Sequence, residues 1–396
     1  MPRLARIASF VPLLLLSSLW LAAQTAPPGP TTNSSVVDAQ GTAHITRVVP
    51  LPSVLAPETL KAYQHPGSDA ASMDPDVLKR RAATQVWQDG AAQQSLAVYP
   101  ARITESKVAG IPVHLVDPLP EAKAGPASMP GVSCDPLHYS AIAASQGGQQ
   151  ADGLCSGKPE PIHADRVLLC LHGGGFNSDS GSYSESIPMA NLTRTRVVSV
   201  LYRLSPENQY PAALEDAIAV YRELLKTYAP RHIVIYGTSA GAILTGEVAA
   251  RIKQLGLPQP AALGVFSGLG DFAARGDSGA LFTLTGFTGQ LPTPKLEPGP
   301  QTPSEYYGMH DPHDPILSPN GGDLHGLPPT LFLTSSRDML MSGTADMERA
   351  WRRDGVRTQM VVFDGLPHAF WLNVNLAESR EAFAVMAAFF ATELGR

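Results

Sequence analysis

Cysteine is scarce in this chain: three residues in 396. No C-x-x-C pair or H-x-x-x-H spacing accompanies them, so neither a disulfide framework nor a zinc centre is expected to organise the fold. Charge is also sparse, at 16% of residues, and 35 acids outnumber 29 Lys and Arg for a formal charge of -6. Without a basic excess or a block of like charge, nothing electrostatic points to a nucleic-acid partner. After residue 23 no apolar run reaches 18 residues, so no helical membrane span is expected in the mature chain. The 36 prolines and 35 glycines follow no period, which sets aside collagen-like and low-complexity architectures, and there is no internal repeat.

The N-terminus is more specific. Arg3 and Arg6 precede an apolar run from Ile7 to Ala23, followed by "QTAPPGP". A basic start, a short apolar run and small residues predict a secretory signal peptide over residues 1–25 and an exported protein; the competing expectation is an uncleaved anchor. Cys170 sits in the apolar "RVLLCLH" and reads as a small buried hydrophobe. Cys134 and Cys155 bracket a loop-like insertion at about 119–161. In an oxidising compartment they are expected to pair, with two free thiols as the alternative. Residues 26–45 read as a polar linker. Helices are expected in "PETLKAYQ" and from Asp74 to Pro100, then an extended "GIPVHLVDP".

From Arg166 onward, short apolar runs ("RVLLCL", "RVVSVLY", "HIVIYG", "ALGVFS", "PTLFLTS", "QMVVFDG") alternate with helix-length segments. Strands buried on both faces and separated by amphipathic helices predict an α/β fold around a mostly parallel sheet, with helices on both faces. In such sheets the site lies beyond the carboxyl ends of the strands, so residues that carry chemistry should follow these runs.

Several do. Gly237-Thr238-Ser239-Ala240-Gly241 matches G-x-S-x-G, which is weak evidence alone. Here it follows a strand run and opens a helical one. That setting lifts a serine hydroxyl out of a sharp turn and sets a helix N-terminus beside any developing negative charge. His172-Gly173-Gly174-Gly175 follows "RVLLCL". Amides of Gly173, Gly174 and Gly175, with that of Ala240, are expected to form an oxyanion hole, Gly174 and Gly175 being the favoured glycine donors. A phosphate loop is disfavoured because G-K-[ST] and G-x-G-x-x-G are missing. Four of the 11 histidines lie beyond Ser239, and of these only His368 sits just past a strand run, in "VVFDGLPHAFW". Asp338 lies just after another run, 30 residues earlier, and is the expected acid. Its rival, Asp364, shares the His368 loop and is badly placed to support the imidazole from behind. The "HDPHDP" stretch reads as a rigid structural loop ahead of a metal cluster, so no metal or organic cofactor is expected.

Together these motifs resemble the bacterial hormone-sensitive-lipase-like esterases, an α/β-hydrolase family. The match runs through "LCLHGGGF", "LYRLSPENQYPAALEDA", "YGTSAG", "DPHDPILSP", "PPTLFLTSSRDML" and "GLPHAF", over about residues 166–394. The resemblance implies Ser239 as nucleophile, Asp338 as acid and His368 as base, acting on short to medium acyl esters. It implies a helical cap over residues 46–105 and a catalytic domain over 106–396. Tyr202, Arg203 and Glu207 are expected to brace the loops. Thr238 stands where one branch of the family has an acid. Two other functions fit the same residues: removal of an amide or acetyl group from a decorated sugar or aromatic compound, and a non-catalytic binding module.

Overall fold

The structure is a computed structural model and describes residues 33–64, 74–119, 161–274, 276–288, 291 and 304–395. The predicted signal peptide, Cys134 and Cys155 lie outside the described residues. The chain divides into two compact units, Met1–Leu51 and Pro52–Arg396.

In the first unit, the described part of the expected linker is a hairpin rather than irregular chain. Strands β1 (Ser34–Val37) and β2 (Ala43–Thr46) pair antiparallel. The intervening "DAQG" supplies the turn: the Asp38 carboxylate accepts from the amides of Gln40 and Thr42, and Gly41 takes a positive φ of 82°.

The second unit is built on one eight-stranded sheet with the order β10-β9-β8-β7-β5-β6-β4-β3. The strands are β3 (Ala101–Val108), β4 (Ile111–Pro118), β5 (His163–Leu171), β6 (Thr195–Val200), β7 (Ile233–Thr238), β8 (Ala262–Phe266), β9 (Thr330–Ser335) and β10 (Thr358–Phe363). From β5 to β10 neighbours run parallel, while β4 pairs antiparallel with both β3 and β6. The whole of β3 belongs to this sheet, so the expected cap boundary at 105 moves back to about Pro100.

Period-2 alternation assigns the faces. Leu169, Leu171, Ile233, Ile235 and Val265 pack with helices α4 (Ala212–Leu224), α5 (Ala240–Gln254) and α7 (Met341–Arg353). Leu168, Cys170, Val234, Tyr236 and Phe266 pack with α3 (Ser186–Thr193) and α8 (Ala377–Leu394). Both faces are covered, which explains the unbroken apolar runs of β5 and β7. Fully buried Phe390 and Trp351 anchor the two layers, and truncating such a residue to alanine costs about 3–5 kcal/mol. Ahead of the sheet come α1 (Pro57–Tyr63) and α2 (Val77–Val98), the helices expected of a cap; a short α6 (Asp277–Leu281) lies between β8 and β9. Among the described residues no helix is long and apolar enough to cross a membrane.

Candidate active site

Ser239 stands between β7 and α5 with φ 57° and ψ -120°, a conformation that L side chains seldom adopt. The flanking glycines make the turn feasible. A Cβ on either Gly237 or Gly241 would overlap the carbonyl oxygen of Leu171, the last residue of β5. This carbonyl is gripped between the two glycines, so helix and strand approach as only glycine allows. The Ser239 amide donates to Phe266 O at 2.9 Å, and Ala240 opens α5, where an amide has no intrahelical acceptor.

The glycine loop after β5 lies against this turn: a Cβ on Gly173 would come within 3.5 Å of Ser239 Cβ. Gly174 (φ 110°) and Gly175 (φ 60°) use left-handed conformations, and the Gly174 carbonyl accepts from the amides of Asn177 and Ser178. His172 stacks on Tyr202 with ring centroids 4.1 Å apart, and the Tyr202 hydroxyl donates to His172 O at 2.7 Å. One expectation needs correction. The Gly173 amide donates to Glu185 Oε1 at 3.1 Å, so it is already engaged. The amides of Gly174, Gly175 and Ala240 have no acceptor among the described residues.

Asp338, fully buried at the end of β9, accepts the Nδ1 proton of His368 on Oδ1 at 2.7 Å and the Leu340 amide at 2.8 Å. Its Oδ2 accepts from the hydroxyls of Thr334 (2.7 Å) and Ser267. Burial works against the charge, but the imidazole beside it and these donors hold the carboxyl below its ordinary range. With Nδ1 committed as donor, Nε2 of His368 carries the lone pair; it is buried and has no hydrogen-bond partner among the described residues. Asp364 instead accepts from Ser336 at 2.6 Å, so it does not serve His368. In "HDPHDP", Asp311 and Asp314 cap the backbone amides of their own turn.

Two contacts join the pieces. Ser267, next to the acceptor of the Ser239 amide, donates to Asp338. Trp371, three residues past His368, donates through Nε1 to Thr238 Oγ1 at 3.3 Å. The elbow, the acid and the histidine loop thus meet at the carboxyl edge of β7, β8, β9 and β10.

Sequence reasoning missed Ser267, Glu185 and Arg81. Ser267 had a signal, since it directly follows a strand run. Arg81 on α2 donates to the carbonyls of Asn177 (2.7 Å) and Ser205 (2.8 Å) and forks onto the Glu207 carboxylate. Arg80 forks onto Glu305, which also accepts from Asn177. Helix α2 is therefore strapped across the segment that follows the glycine loop. Of the expected braces, Tyr202 holds His172, Arg203 pairs with Asp216, and Glu207 receives Arg81.

Residues 168–372 match the model of a family described as having the alpha/beta hydrolase fold. An acetyl-hydrolase of Streptomyces hygroscopicus is 33% identical over 237 residues, covering 58% of this chain and 77% of the relative. An esterase of Acinetobacter venetianus is 30% identical over 237 residues, covering 58% and 76%. The crystal structure of an esterase from the bacterial hormone-sensitive lipase family shares the fold, with TM-score 0.59 and 24% identity over 80% of this chain and 96% of that one. The chain therefore belongs to the α/β-hydrolase fold family.

Proposed function

We propose that the protein hydrolyses carboxylic esters of short to medium acyl groups through an acyl-enzyme on Ser239. One observation carries this: a buried Asp338–His368 pair with an unpartnered Nε2, and a serine held in a strained turn at a helix N-terminus, are brought to the same edge of the sheet, where Trp371 of the histidine loop bonds Thr238 of the elbow. His368 Nε2 takes the hydroxyl proton as Ser239 Oγ attacks the ester carbonyl. The amides of Gly174, Gly175 and Ala240 receive the developing oxyanion, and Asp338 stabilises the imidazolium. His368 then passes the proton to the leaving alcohol, and water repeats the sequence on the acyl-enzyme.

Replacing Ser239 with Ala should lower turnover of p-nitrophenyl acetate and butyrate by on the order of a millionfold, to the level of the oxyanion site alone. It should also abolish labelling by a fluorophosphonate probe. Near-wild-type turnover by that variant overturns the assignment, and an unlabelled wild type returns the chain to a binding module.

A second reading, removal of acetyl groups from a decorated sugar or aromatic compound, is favoured by the acetyl-hydrolase relative. Rates on acyl esters of rising chain length, set beside an acetylated sugar and an anilide, separate the two and test amide cleavage. The basic start and apolar run support export, which N-terminal sequencing of the mature protein checks; a mature chain beginning between Leu21 and Ala26 is expected.

A further inference from the structure

Glu185, just ahead of α3, is 1% exposed and has no ion-pair partner among the described residues. Space for its side chain exists because residue 181 is glycine: a Cβ there would overlap Glu185 Oε1. The carboxyl receives hydrogen bonds from two directions. The Gly173 amide reaches Oε1 at 3.1 Å and the Cys170 thiol reaches Oε2 at 3.9 Å, while Thr238 adjoins the same carboxyl closely enough to favour its charged form. Thr238 Oγ1 in turn accepts from Trp371 on the His368 loop. The Tyr236 hydroxyl fixes the backbone at this point by donating to Glu185 O at 3.3 Å.

A carboxyl buried without a cation is expensive, and packing alone would be served by an apolar side chain. What an apolar residue would not supply is an acceptor shared by the glycine loop and the elbow. We propose that Glu185 is a positioning residue for ester hydrolysis, setting the gap between the glycine loop and Ser239 by holding Gly173 and Thr238 on one carboxyl. The proposal rests on Ser239 being the nucleophile. Occupying the Gly173 amide leaves Gly174 and Gly175 as the glycine donors and fixes where their loop starts. The threonine of the elbow follows from the same contact. Its hydroxyl accepts from Trp371 and lies against Glu185, whereas an acid at 238 would set a second carboxyl against the first.

The test uses the full chain and four measurements: kcat and KM on p-nitrophenyl butyrate, affinity for a trifluoromethyl ketone, and Tm. The ketone forms a hemiketal oxyanion on the serine and so reads the oxyanion site directly. Glu185→Leu keeps much of the volume but removes the acceptor of the Gly173 amide. It should lower kcat roughly ten- to a hundredfold, less than the loss of a whole oxyanion donor, with KM within about threefold. Ketone affinity should fall by the same factor as kcat/KM, a correlation that lost folding alone does not produce. Thr238→Val should lower kcat about tenfold, and Thr238→Ser, which retains the hydroxyl, should restore it to within about threefold of wild type. A folded Glu185→Leu variant with wild-type kcat and ketone affinity overturns the proposal while leaving the Ser239 assignment intact. If that variant does not fold, equal activities of the Thr238→Val and Thr238→Ser variants overturn it from the other end of the contact. A wild type that is inactive and unlabelled by fluorophosphonate removes both.

Discussion

Substituting Glu185 with glutamine keeps a neutral polar group but removes a buried ionisation, and its effect on stability can be worked out from the site. Burial pushes the Glu185 carboxyl up to about 8 from an ordinary 4.5, against the pull of the Gly173 and Thr238 donors. The folded chain thus binds this proton more tightly than the unfolded chain, and stability falls as pH rises between the two values. Below 4.5 both states are protonated and the stability is fully present; it is lost as pH climbs through 8 and stays lost above. At about 1.4 kcal/mol per tenfold difference in proton affinity, the full loss is about 5 kcal/mol, of which about 3 kcal/mol falls between pH 6 and 9. Glutamine does not titrate, so the Glu185→Gln variant should keep that part. Glu247, whose buried carboxyl is also pushed up, is common to both proteins and cancels in the comparison. Melting curves at pH 6 and 9 should show wild type losing roughly 5 °C more than the variant over this interval. Parallel losses would refute the claim that this carboxyl is neutral in the folded protein at neutral pH.

Asp338→Asn should lower kcat on p-nitrophenyl esters by about ten-thousandfold. In either orientation its amide nitrogen would face donors, Thr334 and Ser267 on one side or Leu340 and His368 on the other. A loss under about tenfold would show that His368 is oriented by something else. Arg81→Ala, which unfastens α2 from Asn177, Ser205 and Glu207, should lower Tm by about 2–5 °C. Most of that effect comes from the two carbonyls, because the half-exposed Glu207 pair is screened by solvent. Arg81→Lys should restore little, since an ammonium cannot reach three acceptors as a fork does, and recovery of the wild-type Tm would count against the strap.

The parts of the fold legible in the sequence were those whose neighbours are supplied by the fold class. The central strands β7, β8 and β9 are almost wholly buried because helices cover both their faces, and α4 and α7 carry a one-sided pattern because one side meets the sheet. Helix α8 was harder to see: in "FAVMAAFF" apolar residues occupy every direction, leaving no stripe to mark a period. Strand β3 was left without an assignment, and its first half was counted with the cap, because most of its residues are polar and exposed at the sheet edge. In the site, residues tied to local geometry could be read: Gly237 and Gly241 by the turn, and Asp338 and His368 by their places after strands. Glu185 and Arg81 act across 12 to 126 residues of chain, through hydrogen bonds that only the tertiary fold creates.

Strand β8 illustrates why the spacing of the triad in the sequence carries so little of its precision. It lies between β7, which ends at the serine, and β9, which leads to the acid, yet it supplies neither. Its end instead measures the distance between them: Phe266 O accepts the Ser239 amide, and the next side chain, Ser267, donates to Asp338. Glu185 does the corresponding task on the other side of β7, between the elbow and the glycine loop beyond β5. The Ser239 backbone is thus fixed to the end of β8, and the glycine loop after β5 is fixed to Glu185. A serine in a strained turn stays in place only where its surroundings over-determine it. Ser267, Glu185 and Trp371 are buried side chains that brace these surroundings here, toward the acid, the oxyanion loop and the histidine loop.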